Sequence, residues 1–361
     1  MKSLSIATAA VLSFTGATGF AQTLPTDNLA PPAVEIGAPP DTAEDRAIVT
    51  FQVENDVFNR IGASDRDYTN GVRLGWLSGP TIMPSWLTAA TTVPTFFGEP
   101  PSTGVVRRYG LSIGQNLYTP QDIATSAPIY NDRPYAAWLY AGLALQYIYS
   151  RGNEPVRMDT LQLDAGVVGP AAGGEFVQNN FHRLIGVAPA NGWANQLHNE
   201  PTLGLTFERQ WRTGRTVIIE DPKLEVDFVP RIGVSLGNVA TYASAGGTFR
   251  IGKDLRNDFG PSRARPALPG SESFAAKSGF AWYFFAGFDA EVWARNMFLQ
   301  GNLDGQSLSV TMRPFVGQVQ AGVALIFRGM RISYTQVLRS PEFYQQTRVD
   351  QFGSVNVAFR F

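Results

Sequence analysis

The chain has 361 residues and a formal net charge of −1, so it lacks the basic surface that nucleic-acid binding requires. It contains no cysteine, which excludes disulfide bonds and thiolate metal sites. Charged residues make up only 16% and aromatic residues 12% of the chain, whereas ordinary soluble domains carry about 25% charged residues.

The N-terminal 45 residues divide into two segments that precede the folded part of the chain. Residues 1–21 carry Lys2, a short apolar stretch and the small residues Gly19 and Ala21, which predicts a secretory signal peptide cleaved after Ala21. Residues 22–45 are rich in Pro, Ala and Thr and are predicted to form an extended periplasmic segment. We therefore expect an exported protein whose folded domain covers residues 46–361.

The rest of the chain alternates apolar and polar residues with the two-residue period of β-strands. No run in it reaches the roughly 18 consecutive apolar residues of a spanning helix. Val49, Phe51 and Val53 begin the alternation, and "TLQLDAGVVG" and "PTLGLTFERQW" repeat it. The predicted strands lie near 49–54, 69–79, 105–117, 135–149, 160–169, 201–211, 223–237, 238–252, 278–294, 309–327, 329–339 and 353–361.

About twelve strands is an even number, as in bacterial outer-membrane barrels. We predict an all-β fold, a transmembrane antiparallel β-barrel whose apolar faces meet lipid and whose polar faces meet a lumen. The alternative is a secreted β-sandwich, because alternation alone does not distinguish lipid-facing from core-facing residues. The final "SVNVAFRF" places apolar side chains on one face up to the terminal Phe361. This ending resembles the signature with which barrels enter the outer-membrane assembly machinery.

Three longer gaps separate the predicted strands, near 80–104, 171–200 and 253–277. They are expected to form extracellular loops or short helical segments.

Oxygen-bearing side chains gather at the first strand end, in Glu54, Asn55 and Asp56, and again in "DRDYTNG", residues 65–71. Such hard ligands favour calcium or magnesium over a transition metal. The alternative is a hairpin in which Asn and Asp side chains stabilise turns.

The chain has only two histidines, His182 and His198. His182 follows a Gly-rich corner in a segment with helical spacing, and Gln178 lies four residues earlier on the same helix face. Gln178 could hold the imidazole or a water molecule. A histidine base together with a divalent cation suffices for ester hydrolysis without a serine nucleophile. The alternative is a structural histidine, and His198 has the weaker claim to catalysis.

Five blocks then point to one family: "ENDVF", "DRDYTNG", "NDRPYAAWLYAGL", "VVGPAAGGEFVQNNFHRLIG" and "GWANQLHNEP". In this order the chain from about residue 47 to 361 resembles the outer-membrane lipid A deacylases, which remove the 3′-linked acyloxyacyl chain of lipopolysaccharide with calcium. The resemblance implies that His182 is the general base with Gln178 beside it. It also implies that Asn55 and Asp56 belong to the calcium and active site, and that Thr69 is the family's small hydroxyl residue.

Two positions depart from the family's pattern. A lysine is expected in the loop after the third strand, but "YTPQDIATSAP" contains none, and a glutamate is expected where this chain has Ala188. Arg133 is the candidate replacement cation for substrate binding, and Glu175 or Glu200 is the candidate carboxylate.

The sequence thus predicts a calcium-dependent carboxylic-ester hydrolase of the Gram-negative outer membrane. Its substrate is expected to be lipopolysaccharide in the outer leaflet, and the protein is expected to be a monomer. Two alternatives remain: a non-catalytic barrel, either a channel or a structural protein, and an outer-membrane esterase acting on another lipid ester. A serine phospholipase is disfavoured because Leu184 stands two residues after His182, where that family has its serine.

Overall fold

The structure, a computed structural model, describes residues 46–58, 67–80, 87, 104–152, 154–261, 273–275 and 279–361. The predicted signal peptide and the Pro-rich segment lie outside the described residues, as does Asp65 of the oxygen-rich segment.

The described residues form thirteen strands in one sheet. Their bounds are β1 Ile48–Asn55, β2 Asp67–Leu77, β3 Gly104–Thr119, β4 Ala136–Arg151, β5 Glu154–Val168, β6 Glu200–Trp211, β7 Thr216–Ile219, β8 Leu224–Gly237, β9 Ala240–Lys253, β10 Phe280–Asn296, β11 Phe315–Phe327, β12 Met330–Arg339 and β13 Asp350–Arg360. The short β7 was not predicted. The other twelve correspond to the predicted segments, except that β11 begins only after Pro314, because proline lacks the N–H that a strand ladder needs.

The sheet closes into a twelve-stranded antiparallel barrel. Pairing runs from Ile48 opposite Arg360 to Asn55 opposite Gly353, which joins β1 to β13. A second set of pairs, from Gly204 opposite Gly237 to Gln210 opposite Arg231, joins β6 directly to β8, and β7 only extends this seam. Closure leaves no long strand with an unpaired edge, which confirms the predicted barrel.

The two barrel faces have opposite polarity. On β6, Leu203 and Leu205 are exposed on the outside, whereas Thr206 and Glu208 are buried on the inside. The last strand repeats the pattern, with Phe359 outside and Asn356 inside. The alternation of apolar and polar residues in the sequence therefore predicted the outer and inner faces of these strands correctly. Among the described residues, no helix has the length and apolar character needed to cross a membrane.

Two α-helices lie in the connections between strands. α1 spans Gly174–Ile185 between β5 and β6, and α2 spans Met297–Gln300 after β10.

The barrel has two distinct ends. Ile48 and Arg360 lie at one of them, named here the terminal end, and β1 finishes at Asn55 at the other, named the site end. Because strand direction alternates, the connection from β5 to β6 lies at the site end, whereas β2 and β9 both finish at the terminal end. The gaps near 80–104 and 253–277 therefore begin at the opposite end of the barrel from 171–200, so the expectation that all three are extracellular loops is wrong.

Candidate active site

α1 is positioned by glycines at both ends and within its first turn. Gly173 and Gly186 have φ values of 71° and 73°, the left-handed conformation that glycine adopts without strain. A Cβ atom on Gly174 would lie 2.5 Å from the Ala137 Cβ and 2.6 Å from the Trp193 ring. The first turn of α1 is therefore pressed against the barrel wall.

The wall that α1 covers is the outer one. Leu117 of β3, Ala137 of β4 and the partly buried Val167 of β5 pack in one apolar cluster with Trp193. On β3, Leu117 shares its face with Leu111, which is 54% exposed on the outside of the barrel. The same face carries Gln115, whose Nε2 donates to the Ala172 main-chain oxygen at 2.6 Å. α1 and the turn before it are thus packed on the outside of the barrel, at the site end.

Asn55 and Thr69 lie on this same outer wall. Asn55 is paired with Asn70, and Asn70 in turn is opposite the outward-facing Leu117. The register shifts between Tyr68 and Asn70, so Thr69 is the extra residue of a β-bulge. Its Oγ1 lies 2.6 Å from the Oγ1 of Thr119, which shares the outward face of Leu117. Both Asn55 and Thr69 are buried although they face outward.

His182 is held in one orientation by a main-chain contact. Its Nδ1 lies 2.6 Å from the carbonyl oxygen of Ala188, and the residue is 2% exposed. A carbonyl oxygen only accepts hydrogen bonds, so Nδ1 carries the proton and Nε2 is the basic nitrogen. Ala188 therefore contributes its main-chain oxygen at the position where the family's pattern has glutamate.

Gln178 lies one helical turn from His182 and is also buried. The indole Nε1 of Trp193 donates to the Gln178 Oε1 at 2.9 Å. Because indole can only donate, this bond fixes which end of the amide is oxygen. The Gln178 Nε2 is then a buried donor without a partner among the described residues. Sequence reasoning missed Trp193, since its only signal was membership of the block "GWANQLHNEP".

Asp56 opens the short helical turn Asp56–Phe58 directly after Asn55, and both side chains are buried. Within the described residues, no group of three His, Asp or Glu side chains could hold a metal ion. Asp56 and Asn55 supply one carboxylate and one amide oxygen. This donor set fits a calcium site of low charge, completed by main-chain oxygens and water.

Arg133 lies among carboxylates and an aromatic ring at the site end of the barrel. Its guanidinium is fully buried and donates from Nη2 to Glu342 Oε2 at 3.0 Å. It also lies 5.3 Å from the ring centroid of Tyr118, a residue on the inward face of β3. Its Nε lies 3.9 Å from Asp67 Oδ1, so Arg133 belongs to an ion-pair network with Glu342 and Asp67 at the site end.

The remaining candidates are more exposed or have other hydrogen-bond partners. Glu175 is exposed on the first turn of α1, and Glu200 accepts hydrogen bonds from Asn302 and the Leu303 main chain. The His198 side chain is 54% exposed, with its Nδ1 3.9 Å from Asp304 Oδ2.

Fold and site together define a class of protein: an outer-membrane β-barrel with a buried histidine and glutamine held between an external helix and the outer wall. A family model described as outer membrane protein LpxR matches residues 5–361. The chain therefore belongs to the family of the outer membrane protein LpxR, which confirms the resemblance found in the sequence.

A solved structure shows the same fold, and weaker matches accompany it. LpxR from Salmonella typhimurium is 22% identical and matches with a TM-score of 0.67, covering 87% of this chain and 100% of that chain. The β-domain of the Bordetella autotransporter BrkA is 11% identical, covers 88% of this chain and 98% of its own, and has a TM-score of 0.40. The NalP translocator domain from Neisseria meningitidis is 10% identical, covers 89% of this chain and 90% of its own, and has a TM-score of 0.39. No curated protein matches the chain.

Proposed function

We propose that this chain is an outer-membrane lipid A deacylase that hydrolyses the 3′-linked acyloxyacyl ester of lipopolysaccharide, with water as the nucleophile and calcium as the cofactor. The observation that carries the proposal is the pair formed by His182 and Gln178. Both are buried on the outer wall, His182 with Nδ1 bonded to a carbonyl and Gln178 with Nε2 as an unused donor. Family membership supports the same activity.

His182 supplies the proton transfers of this reaction. Its Nε2 takes a proton from water while the water oxygen attacks the ester carbonyl carbon. As the tetrahedral intermediate collapses, the bond to the sugar oxygen breaks and the imidazolium returns the proton to that oxygen. The products are a sugar hydroxyl and the free acyloxyacyl acid, so all atoms and charges balance.

Gln178 is placed to stabilise the negative charge that develops during the attack. Its Nε2 can donate only to an acceptor, and the carbonyl oxygen of the ester becomes a strong acceptor as it gains charge. Trp193 prevents the amide from turning its oxygen toward that charge. Asn55 and Thr69 add polar groups to the same wall.

Asp56 and Asn55 are the residues that we propose hold calcium. The bound ion would polarise the ester carbonyl as a Lewis acid.

The decisive experiment incubates the purified barrel with lipopolysaccharide and calcium and determines the mass of the lipid A product. Loss of the 3′-linked acyloxyacyl group, absent with the His182→Ala variant, is the expected result. Loss of a different acyl group would identify another ester as the substrate. An unchanged mass with lipopolysaccharide and with phospholipid would contradict an esterase of either kind.

A further inference from the structure

α1 carries large apolar side chains that nothing in the described protein covers. Leu184 is 83% exposed, Phe176 73%, Ile185 46% and Phe181 39%, and Val187 just beyond the helix is 45% exposed. On a helical projection of about 100° per residue, Phe176, Leu184, Phe181 and Ile185 follow one another around one side, with Asn180 as the polar residue among them, and this is named here the apolar side of α1.

The other two sides of the helix have different surroundings. Gly174, Gln178 and His182 are buried toward the barrel wall. Glu175 and Arg183 are exposed on the remaining arc of the helix, which ends where Phe176 begins the apolar side, and no large apolar residue lies between them on the projection. α1 is thus divided into a wall side, a polar side and an apolar side. This pattern is typical of a helix that lies at the boundary between water and lipid.

The position of α1 identifies what meets its apolar side. The helix lies on the outer wall, and the same face of β3 carries Ile113, which is 54% exposed. Ile113 is four residues from Leu117, about 13 Å along the strand at 3.3 Å per residue. Leu139 of β4 and Leu163 of β5 continue this exposed apolar surface on the neighbouring strands. The wall against which α1 packs is therefore the site end of the lipid-facing surface of the barrel.

We propose that α1 is an interfacial membrane helix, with Phe181, Leu184 and Ile185 seated among the acyl chains of the outer leaflet. The proposal concerns where the helix lies and holds whichever ester the protein cleaves. One consequence rests on the proposed function: the substrate enters between α1 and the wall from the leaflet. A lipid substrate then reaches His182 sideways, with its acyl chains still in the membrane.

The cysteine-free chain allows a direct test with single nitroxide-labelled cysteines in lipid vesicles. Leu184→Cys reports the apolar side and Glu175→Cys the polar side of the same helix. Ile113→Cys is the lipid reference, and Tyr130→Cys, 75% exposed at the site end, is the water reference. Paramagnetic resonance then compares collision with oxygen, which concentrates in lipid, and with a water-soluble nickel complex.

We expect the Leu184 label to match the Ile113 label and the Glu175 label to match the Tyr130 label. A Leu184 label as accessible to nickel as the Tyr130 label would overturn the proposal. Unboiled electrophoresis of each labelled variant verifies the folded barrel, so that a misfolded variant is not scored.

Sideways entry has its own test. Leu184→Glu should lower deacylation of lipopolysaccharide in vesicles roughly tenfold, because a charge on the apolar side opposes burial in lipid. Arg183→Glu, on the polar side, should stay within about twofold. Equal activity of both variants would overturn sideways entry. If the wild-type protein cleaves no ester at all, the proposed function fails, and the label accessibility still decides the position of α1.

Discussion

Single residues show what orients His182 and Gln178, the proposed catalytic pair. The sequence located His182 because the chain has so few histidines, and its spacing from Gln178 followed from helix geometry. The two groups that fix their orientation were not predicted. One is the main-chain oxygen of Ala188, which leaves no signal in a sequence, and the other is Trp193, which is separated from Gln178 by a loop.

Replacing His182 by alanine should nearly abolish deacylation in a barrel that still folds. Loss of a positioned base typically costs about 10²–10⁴-fold in rate. The mass of the lipid A product measures the loss. His198→Ala is the matched control. It should retain wild-type activity, because the His198 side chain is half exposed and lies 3.9 Å from the half-exposed carboxylate of Asp304. A folded His182→Ala variant with most of its activity would exclude the histidine as base.

Trp193→Phe tests the orientation of the Gln178 amide. The substitution keeps an aromatic ring but removes the N–H that holds Oε1, so kcat should fall about fivefold, the equivalent of roughly 1 kcal/mol for a hydrogen bond, while KM changes little. The informative measurement is a double-mutant cycle. If Trp193 acts through Gln178, adding Trp193→Phe to Gln178→Ala should cost nothing further. Additive losses would show that Trp193 acts independently.

At the scale of elements, the two-residue period predicted twelve strands and their inward and outward faces. It failed where another element determines the structure. The bulge that turns Thr69 outward breaks the period at one position, and the period does not show that α1 covers Leu117. The helical spacing likewise placed Gln178 and His182 on one helix face but did not predict the surface against which that face packs.

The packing of α1 on the wall predicts a strong effect of one added methyl group. Alanine favours a helix over glycine by about 1 kcal/mol. At Gly174, however, its Cβ would lie 2.5 Å from a residue of the rigid barrel, and overpacking typically costs about 1–3 kcal/mol. We expect the steric cost to win, so Gly174→Ala should loosen α1 and expose it to limited proteolysis. Gly104→Ala meets open space and should be cleaved like the wild type. Equal cleavage of both variants would contradict tight packing.

The end of β1 predicts a dependence on calcium. A chelator should abolish activity and calcium should restore it, whereas magnesium should substitute poorly because it demands a smaller octahedral shell. Asp56→Asn keeps the shape but removes the charge, so half-maximal activity should require at least about tenfold more calcium. Asp304→Asn, an exposed carboxylate at the same end of the barrel, should leave the calcium requirement unchanged. Full activity in chelator would remove calcium from the mechanism.

At the scale of the whole barrel, contacts between described residues lie in the lumen at both ends, whereas the proposed site lies on the outer wall. At the site end, Phe298 of α2 stacks on Tyr118 of β3 with the ring centroids 4.0 Å apart, although β10 and β3 lie on opposite sides of the barrel. At the terminal end, Asp258 bridges Arg250 of β9 and Arg331 of β12 inside the lumen. These contacts favour a platform for an external site over an open channel.

The buried ion pairs predict how the barrel responds to heat. Asp258 accepts hydrogen bonds from Arg250 at 2.6 Å, Tyr283 at 2.8 Å and Arg331 at 3.2 Å. Removing one partner of such a network leaves buried charges without compensation and typically costs about 3–5 kcal/mol. The wild-type protein should migrate differently before and after boiling, since a closed barrel resists detergent. Asp258→Ala should make that shift at a lower temperature, whereas Asp304→Ala, whose carboxylate is half exposed, should behave as wild type. An Asp258→Ala barrel as heat-resistant as the wild type would show that the lumenal network contributes little to stability.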